Sequence, residues 1–201
     1  LSIRRQRQMC IRDSIISDYS QIELRVLAHL SSDKNMIEIL SSIDSDIHTE
    51  TASRIFNINL DSVTKDMRRK AKEVNFGLIY GMESFGLSKS LDITKNEAQE
   101  LIDAYFSQFP KIKGFLDTIV SDAEKNGFTK TLYGRKRIIK ELGSSNFQLK
   151  AMGKRIAMNA PIQGTAADIM KIAMLKVQSK ISDLESTDLL LQIHDEIIVQ
   201  T

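Results

Sequence analysis

The sequence predicts an α+β chain in which helices dominate and short strands lie near the two ends. Three observations carry that prediction. Ile162, Ala166, Ile169, Met170, Ala173, Met174, Val177 and Ile181 recur at steps of three and four, the stripe of a long helix with one buried face. At residues 15–18 and 189–199, short apolar runs meet polar residues as strands do where they end in turns. With two prolines and nine glycines in 201 residues and no tryptophan, the rest of the chain holds few helix breakers.

Taken in order, residues 15–18 form a strand and residues 21–30 a helix, with Ser20 as N-cap and Glu23 as its capping-box partner. Residues 33–46 are polar and Ser-rich around Met36, Ile37, Ile39 and Leu40, a short helix with loops. Residues 48–56 read as helix, 57–61 as turn and 65–78 as a strong helix. Residues 94–106 are helical behind a second capping box, Thr94 with Glu97. Pro110 opens a helix that Asn126-Gly127 ends. Residues 128–132 and 137–139, around Gly134, suggest a hairpin. Residues 146–159 are helical, and Pro161 is expected to break or kink the chain before the second long helix. The chain then closes as strand, polar turn and strand around His194, Asp195 and Glu196.

Composition excludes several classes. At 42% hydrophobic and 27% charged residues the chain is not disordered, and no apolar run is long enough to span a membrane. Arg4, Arg5 and Arg7 precede no apolar stretch, so the start does not read as a secretory signal. The single cysteine, Cys10, rules out a disulfide framework or a cysteine zinc site. The net charge of +2 is uninformative, but charge is sorted along the chain. Residues 65–72 and 125–140 are strongly basic, whereas acids alone follow Lys180. A solvated surface would read this way, as would basic elements facing a polyanion beside an acidic pocket for cations.

Four constellations could carry chemistry. Asp18 ends a strand just before a helix, and Asp195 with Glu196 sits at a hairpin tip. Two strand-borne carboxylates could bridge two Mg²⁺ ions, the equipment of phosphoryl transfer. Arg68, Lys72, Phe76 and Tyr80 follow one another at i+4, so one helix face grades from cationic to aromatic, suited to a triphosphate and a nucleobase or sugar. Arg155 and Asn159 share a helix face, with Gln163 after the proline, and such groups can read sugar and base edges. Taken singly, a helix-start acid, a polar turn, an amphipathic helix and a kinked structural helix would leave the same traces.

Together they are more specific. D-Y-S-Q-I-E-L-R from Asp18, R-x-x-x-K-x-x-x-F-G-x-x-Y-G from Arg68 and H-D-E from His194 resemble motifs A, B and C of family A DNA polymerases, the bacterial DNA polymerase I group, in the family's order. The resemblance covers residues 16–200 and includes A-M-N-A-P-I-Q-G-T-A-A-D between the second and third motifs. It implies a partial antiparallel palm sheet with a mostly α-helical fingers subdomain: palm at residues 15–32 and 146–201, fingers at 33–145. Asp18 and Asp195 would be the metal-binding catalytic aspartates and Glu196 an accessory carboxylate. Glu23 resembles the gate that crowds a ribose 2′-hydroxyl. Arg68, Lys72 and His48 resemble triphosphate contacts, with Lys72 also a general acid for pyrophosphate. Phe76 would lie against the incoming sugar and base, and Tyr80 near the nascent pair. Gln21 would line the dNTP site, and Arg155, Asn159, Gln163 and His194 would meet DNA.

The resemblance further implies two Mg²⁺ ions (Mn²⁺ can substitute), primer–template DNA and dNTP as partners, and a monomer acting in replication or repair in the bacterial cytoplasm, near the nucleoid. The family's thumb and remaining palm are not represented. Residues 1–14 do not match what precedes the first motif and are expected to be a non-native leader. The competing reading is a non-catalytic helical nucleic-acid-binding module or an inactive polymerase remnant.

Overall fold

The computed structural model describes residues 13–42 and 45–201. Cys10 and residues 1–12 of the expected leader lie outside the described residues. The chain opens with β1 (Ser14–Asp18) and continues into α1 (Ile22–Ser31). Gln21, at φ 57°, separates Ser20 from the helix. Glu23 is therefore the second helical residue, one short of the capping-box position. Next come α2 (Lys34–Ser41) and α3 (Ile47–Phe56), N-capped by the side chains of Asp33 and Asp46. A 3₁₀ turn, Leu60–Ser62, leads to α4 (Lys65–Ile79), capped by Thr64.

The sequence reading passes over α5 (Ser84–Leu91), whose leading Glu83 makes no side-chain cap. Leu87 and Leu91, both buried, explain why it forms: packing supplies what local signals lack. The Thr94–Glu97 capping box opens α6 (Lys95–Gln108) as expected. Pro110 starts α7 (Pro110–Asn126), which ends at Gly127 in the left-handed region, φ 75°. The hairpin is β2 (Phe128–Lys130) with β3 (Lys136–Ile138), and a 3₁₀ turn follows at Lys140–Gly143.

Helix α8 runs without interruption over Phe147–Ile181 with Pro161 inside it, so of the expected break or kink the break does not occur. The Thr165 hydroxyl donates to the Pro161 carbonyl at 2.6 Å, and Ala157, Ala160, Ile162 and Thr165 are all buried around the proline. Tertiary burial holds the helix through a residue that locally disfavours it. The chain ends with β4 (Asp188–Ile193) and β5 (Glu196–Gln200).

The described residues form two compact units, the larger within Glu23–Thr165 and the smaller combining residues 13–22 with Ala166–Thr201. The smaller unit holds a three-stranded antiparallel sheet in the order β1-β5-β4. Asp13 and Thr201 extend its ladder by exchanging backbone hydrogen bonds of 3.2 and 3.0 Å. Ile197 is buried, whereas Ile15, Ile16, Leu190, Leu191 and Ile193 are exposed. In the larger unit α4 packs on α3 and α5, and α6 packs on α5, α7 and α3. Its core includes Leu24, Leu27, Met36, Ile79, Leu87 and Ile112 with the aromatic pair Tyr105 and Phe109, ring centroids 4.9 Å apart. Among the described residues no helix is long and apolar enough to cross a membrane.

Candidate active site

The smaller unit brings its carboxylates together through strand register. Asp18 is the last residue of β1 and pairs directly with Glu196, the first residue of β5. Glu196 also faces Ile193 across β4, which leaves His194 and Asp195 as a two-residue turn. His194 takes the left-handed conformation, φ 55°, and its carbonyl accepts the Gln192 side-chain amide at 2.7 Å. The Tyr19 N–H donates to the Asp195 carbonyl at 3.2 Å. Sequence-distant Asp18, Asp195 and Glu196 thus meet at one end of one sheet. Among the described residues no group of three or more His, Cys, Asp or Glu is arranged as a metal site. The donor set nonetheless fits Mg²⁺, which takes one or two carboxylates and completes its shell from phosphate and water.

In the larger unit, α4 presents the predicted graded face. Lys72 is exposed, and Phe76 lies half-buried between two rings, 5.6 Å from His48 and stacked on Tyr80 at 6.5 Å. Arg68 is not a free cation: its Nε and Nη2 donate to Asp46 at 2.6 and 3.0 Å. Asp46 escaped the sequence reading. Its only local signal is an N-cap acid three residues before Thr49, and its charge partner is 22 residues away.

Tyr80 closes α4, and its hydroxyl donates to Glu23 Oε2 at 2.8 Å. Burial and the Glu23 carboxylate push the phenol up to about 12, against an opposing hydrogen bond with the Gln163 side chain. Gly81 follows at φ 67°, and a Cβ there would lie 2.9 Å from Arg155 Cγ. Only glycine allows both the turn and this approach to α8. Because α8 continues through Pro161, Arg155, Asn159 and Gln163 form one i, i+4, i+8 stripe, Asn159 Oδ1 being buried without a partner among the described residues. Gln21, at its positive φ, belongs to the smaller unit and precedes α1.

His48 is 1% exposed. The Asn75 amide nitrogen, itself fully buried, donates to His48 Nδ1 at 3.1 Å and contacts Thr51 Oγ1 at 3.2 Å. An amide donor on Nδ1 keeps the proton on Nε2, which is buried and finds no partner among the described residues. Asn75, missed from sequence because it falls off the i+4 stripe, therefore fixes the tautomer. Burial above all, helped by Arg68 and Lys72 and opposed by Asp46, lowers the His48 pKa from 6.5 to about 4.

A pH dependence follows. The unfolded chain takes up the His48 proton near 6.5 and the folded chain only near 4, so this stability is complete above pH 6.5 and is lost as pH falls toward 4. The expected loss is roughly 2–3 kcal/mol. Urea unfolding of the wild type and His48→Gln between pH 4 and 7 checks it; parallel pH profiles would refute the buried neutral imidazole.

One chain thus carries a sheet with carboxylates at its strand ends and a helix graded from cations to aromatics. The model for DNA polymerase family A matches residues 3–201, and the chain belongs to that family. It is 48% identical over 185 residues to DNA polymerase I of Bacillus subtilis (strain 168), covering 92% of this chain and 21% of the relative. Against DNA polymerase I of Caldicellulosiruptor bescii the identity is 46% over 187 residues, covering 92% and 22%. The polymerase domain of Pol1 from M. smegmatis, solved in complex with DNA primer–template and dNTP, superimposes with a TM-score of 0.88 at 42% identity, covering 94% of this chain and 33% of that one. The chain thus spans about a fifth of the length of the curated relatives it matches.

Proposed function

We propose that this chain is the palm-and-fingers segment of a DNA polymerase that extends a primer 3′-hydroxyl with dNTP and releases pyrophosphate. The observation that carries the reading is the register of β1 on β5, which sets Asp18 opposite Glu196 and beside Asp195. Asp18 and Asp195 would hold Mg²⁺. When bound, the metal supplies a lowered hydroxyl pKa and charge neutralisation at the phosphates. The chain's own side chains do the rest. Arg68 and Lys72 bind the triphosphate, and Phe76 and Tyr80 pack the sugar and the nascent pair; His48, expected beside the cations, is buried next to Phe76 and supports that ring. Lys72, exposed and one turn from Arg68, would protonate the departing pyrophosphate. The Arg155, Asn159 and Gln163 stripe meets DNA, with His194 a further DNA contact.

The experiment is primer extension by the complete polymerase that carries this segment. It should give template-directed product with Mg²⁺ and dNTPs. A chain that binds primer–template yet never extends it, with Mg²⁺ or Mn²⁺, would instead support the non-catalytic nucleic-acid-binding module. The 201-residue chain alone, with Ile15, Ile16, Leu190, Leu191 and Ile193 of its sheet exposed, is expected to extend primers barely at nanomolar concentration. Efficient extension by it would refute that expectation.

A further inference from the structure

The Asp46 carboxylate has two jobs in the geometry. As N-cap of α3 it accepts the Thr49 N–H at 3.1 Å and also the Thr49 hydroxyl. The same group takes both Nε–H and Nη2–H of Arg68 on α4. Partial burial alone would raise its pKa, but the hydrogen bonds from Arg68 and Thr49 and the guanidinium charge hold it down at about 2. It is therefore ionised wherever the protein is folded near neutral pH.

Among the described residues the guanidinium is bound along one edge. Asp46 occupies Nε and Nη2, so the Nη1 hydrogens and the remaining Nη2 hydrogen stay available to a second anion. Arg68 is 47% exposed and Asp46 40%, so the pair adds little to folding stability. What it does is fix direction. The carboxylate is held by a helix terminus, and it removes the rotamer freedom a long arginine side chain would otherwise lose on binding a ligand. Its negative charge opposes an incoming triphosphate, but solvent at this exposure screens that repulsion, and the orienting effect wins.

We propose that Asp46 is a positioning residue for nucleotide binding: by holding the Nε edge of Arg68 from the N-terminus of α3, it presents the opposite edge to the triphosphate of an incoming nucleotide. The same carboxylate caps the first turn of α3, so its own position is fixed by a helix terminus while it holds the Arg68 side chain of α4. The proposal rests on the polymerase reading of Arg68, and the test separates the two.

Asn caps a helix as well as Asp but cannot form the charged bidentate pair. In the complete polymerase, single-nucleotide incorporation by Asp46→Asn should show KM for dNTP raised roughly tenfold, with kcat changed less than about twofold and the melting temperature unmoved. In an Arg68→Ala background the same change should have no further effect. An unchanged KM in Asp46→Asn, while Arg68→Ala raises it, overturns this proposal alone. A lowered KM also overturns it, making Asp46 a competitor of the nucleotide. Arg68→Ala without effect on KM overturns the phosphate role of Arg68 and this proposal with it.

Discussion

Asp195→Asn in the complete polymerase is expected to lower primer extension at least about a thousandfold while leaving primer–template binding within a few-fold. Asp195 occupies the second position of the β4–β5 turn, and its backbone is fixed by the Tyr19 N–H on its carbonyl. Asn suits such a turn as readily as Asp, so the substitution changes charge without changing fold. A neutral amide is a poor ligand for a hard cation, and the defect should appear in catalysis and not in DNA affinity. Asp18→Asn should behave alike, since Asp18 ends the neighbouring strand in register with Glu196. Glu196→Gln should cost less, as an accessory carboxylate would. Extension kinetics with parallel binding isotherms measure both quantities. Retained extension in Asp195→Asn would remove this carboxylate from the metal-binding role.

Much of this was legible in the sequence because the signals are local. The Thr94–Glu97 box, Pro110 at a helix start and Gly127 past a helix end each act within one turn of chain, and each is found where expected. The strand-end aspartate and the i+4 series from Arg68 to Tyr80 are equally local, so the main catalytic candidates were readable before any fold was known. What escaped depends on contacts between distant residues. Pro161 stays helical because buried neighbours on both sides of it hold the helix in place, against its own propensity. Helix α5 has no side-chain cap and forms through Leu87 and Leu91. Ser20 and Glu23 match a capping-box pattern, but Gln21 turns left-handed and Glu23 serves Tyr80, 57 residues away. Asp46 and Asn75 matter only through Arg68 and His48, and no window of sequence shows either pairing.

That displaced role of Glu23 leads to the second large effect. Glu23→Ala is expected to relax discrimination between deoxynucleotides and ribonucleotides roughly a hundredfold. A gate that excludes a hydroxyl by bulk works only if its side chain cannot turn aside. Glu23 is held at the far end by the Tyr80 hydroxyl at 2.8 Å, and Tyr80 is in turn hydrogen-bonded by Gln163. With its pKa pushed up to about 12, the phenol keeps its proton throughout the working range and always donates. The carboxylate also sits in the first turn of α1, where the helix dipole favours a negative charge. Three substitutions separate the causes. Glu23→Ala removes the bulk and should admit ribonucleotides. Glu23→Gln keeps bulk and can still accept from Tyr80, so most discrimination should survive. Tyr80→Phe leaves the carboxylate untethered but keeps its bulk, and should relax the ratio roughly tenfold, the low end of what one lost hydrogen bond to a charged group allows. The measurement is kcat/KM for dNTP against rNTP in the complete enzyme. If Glu23→Ala keeps the wild-type ratio, Glu23 is no gate, and its bond to Tyr80 serves only to close α4 against α1.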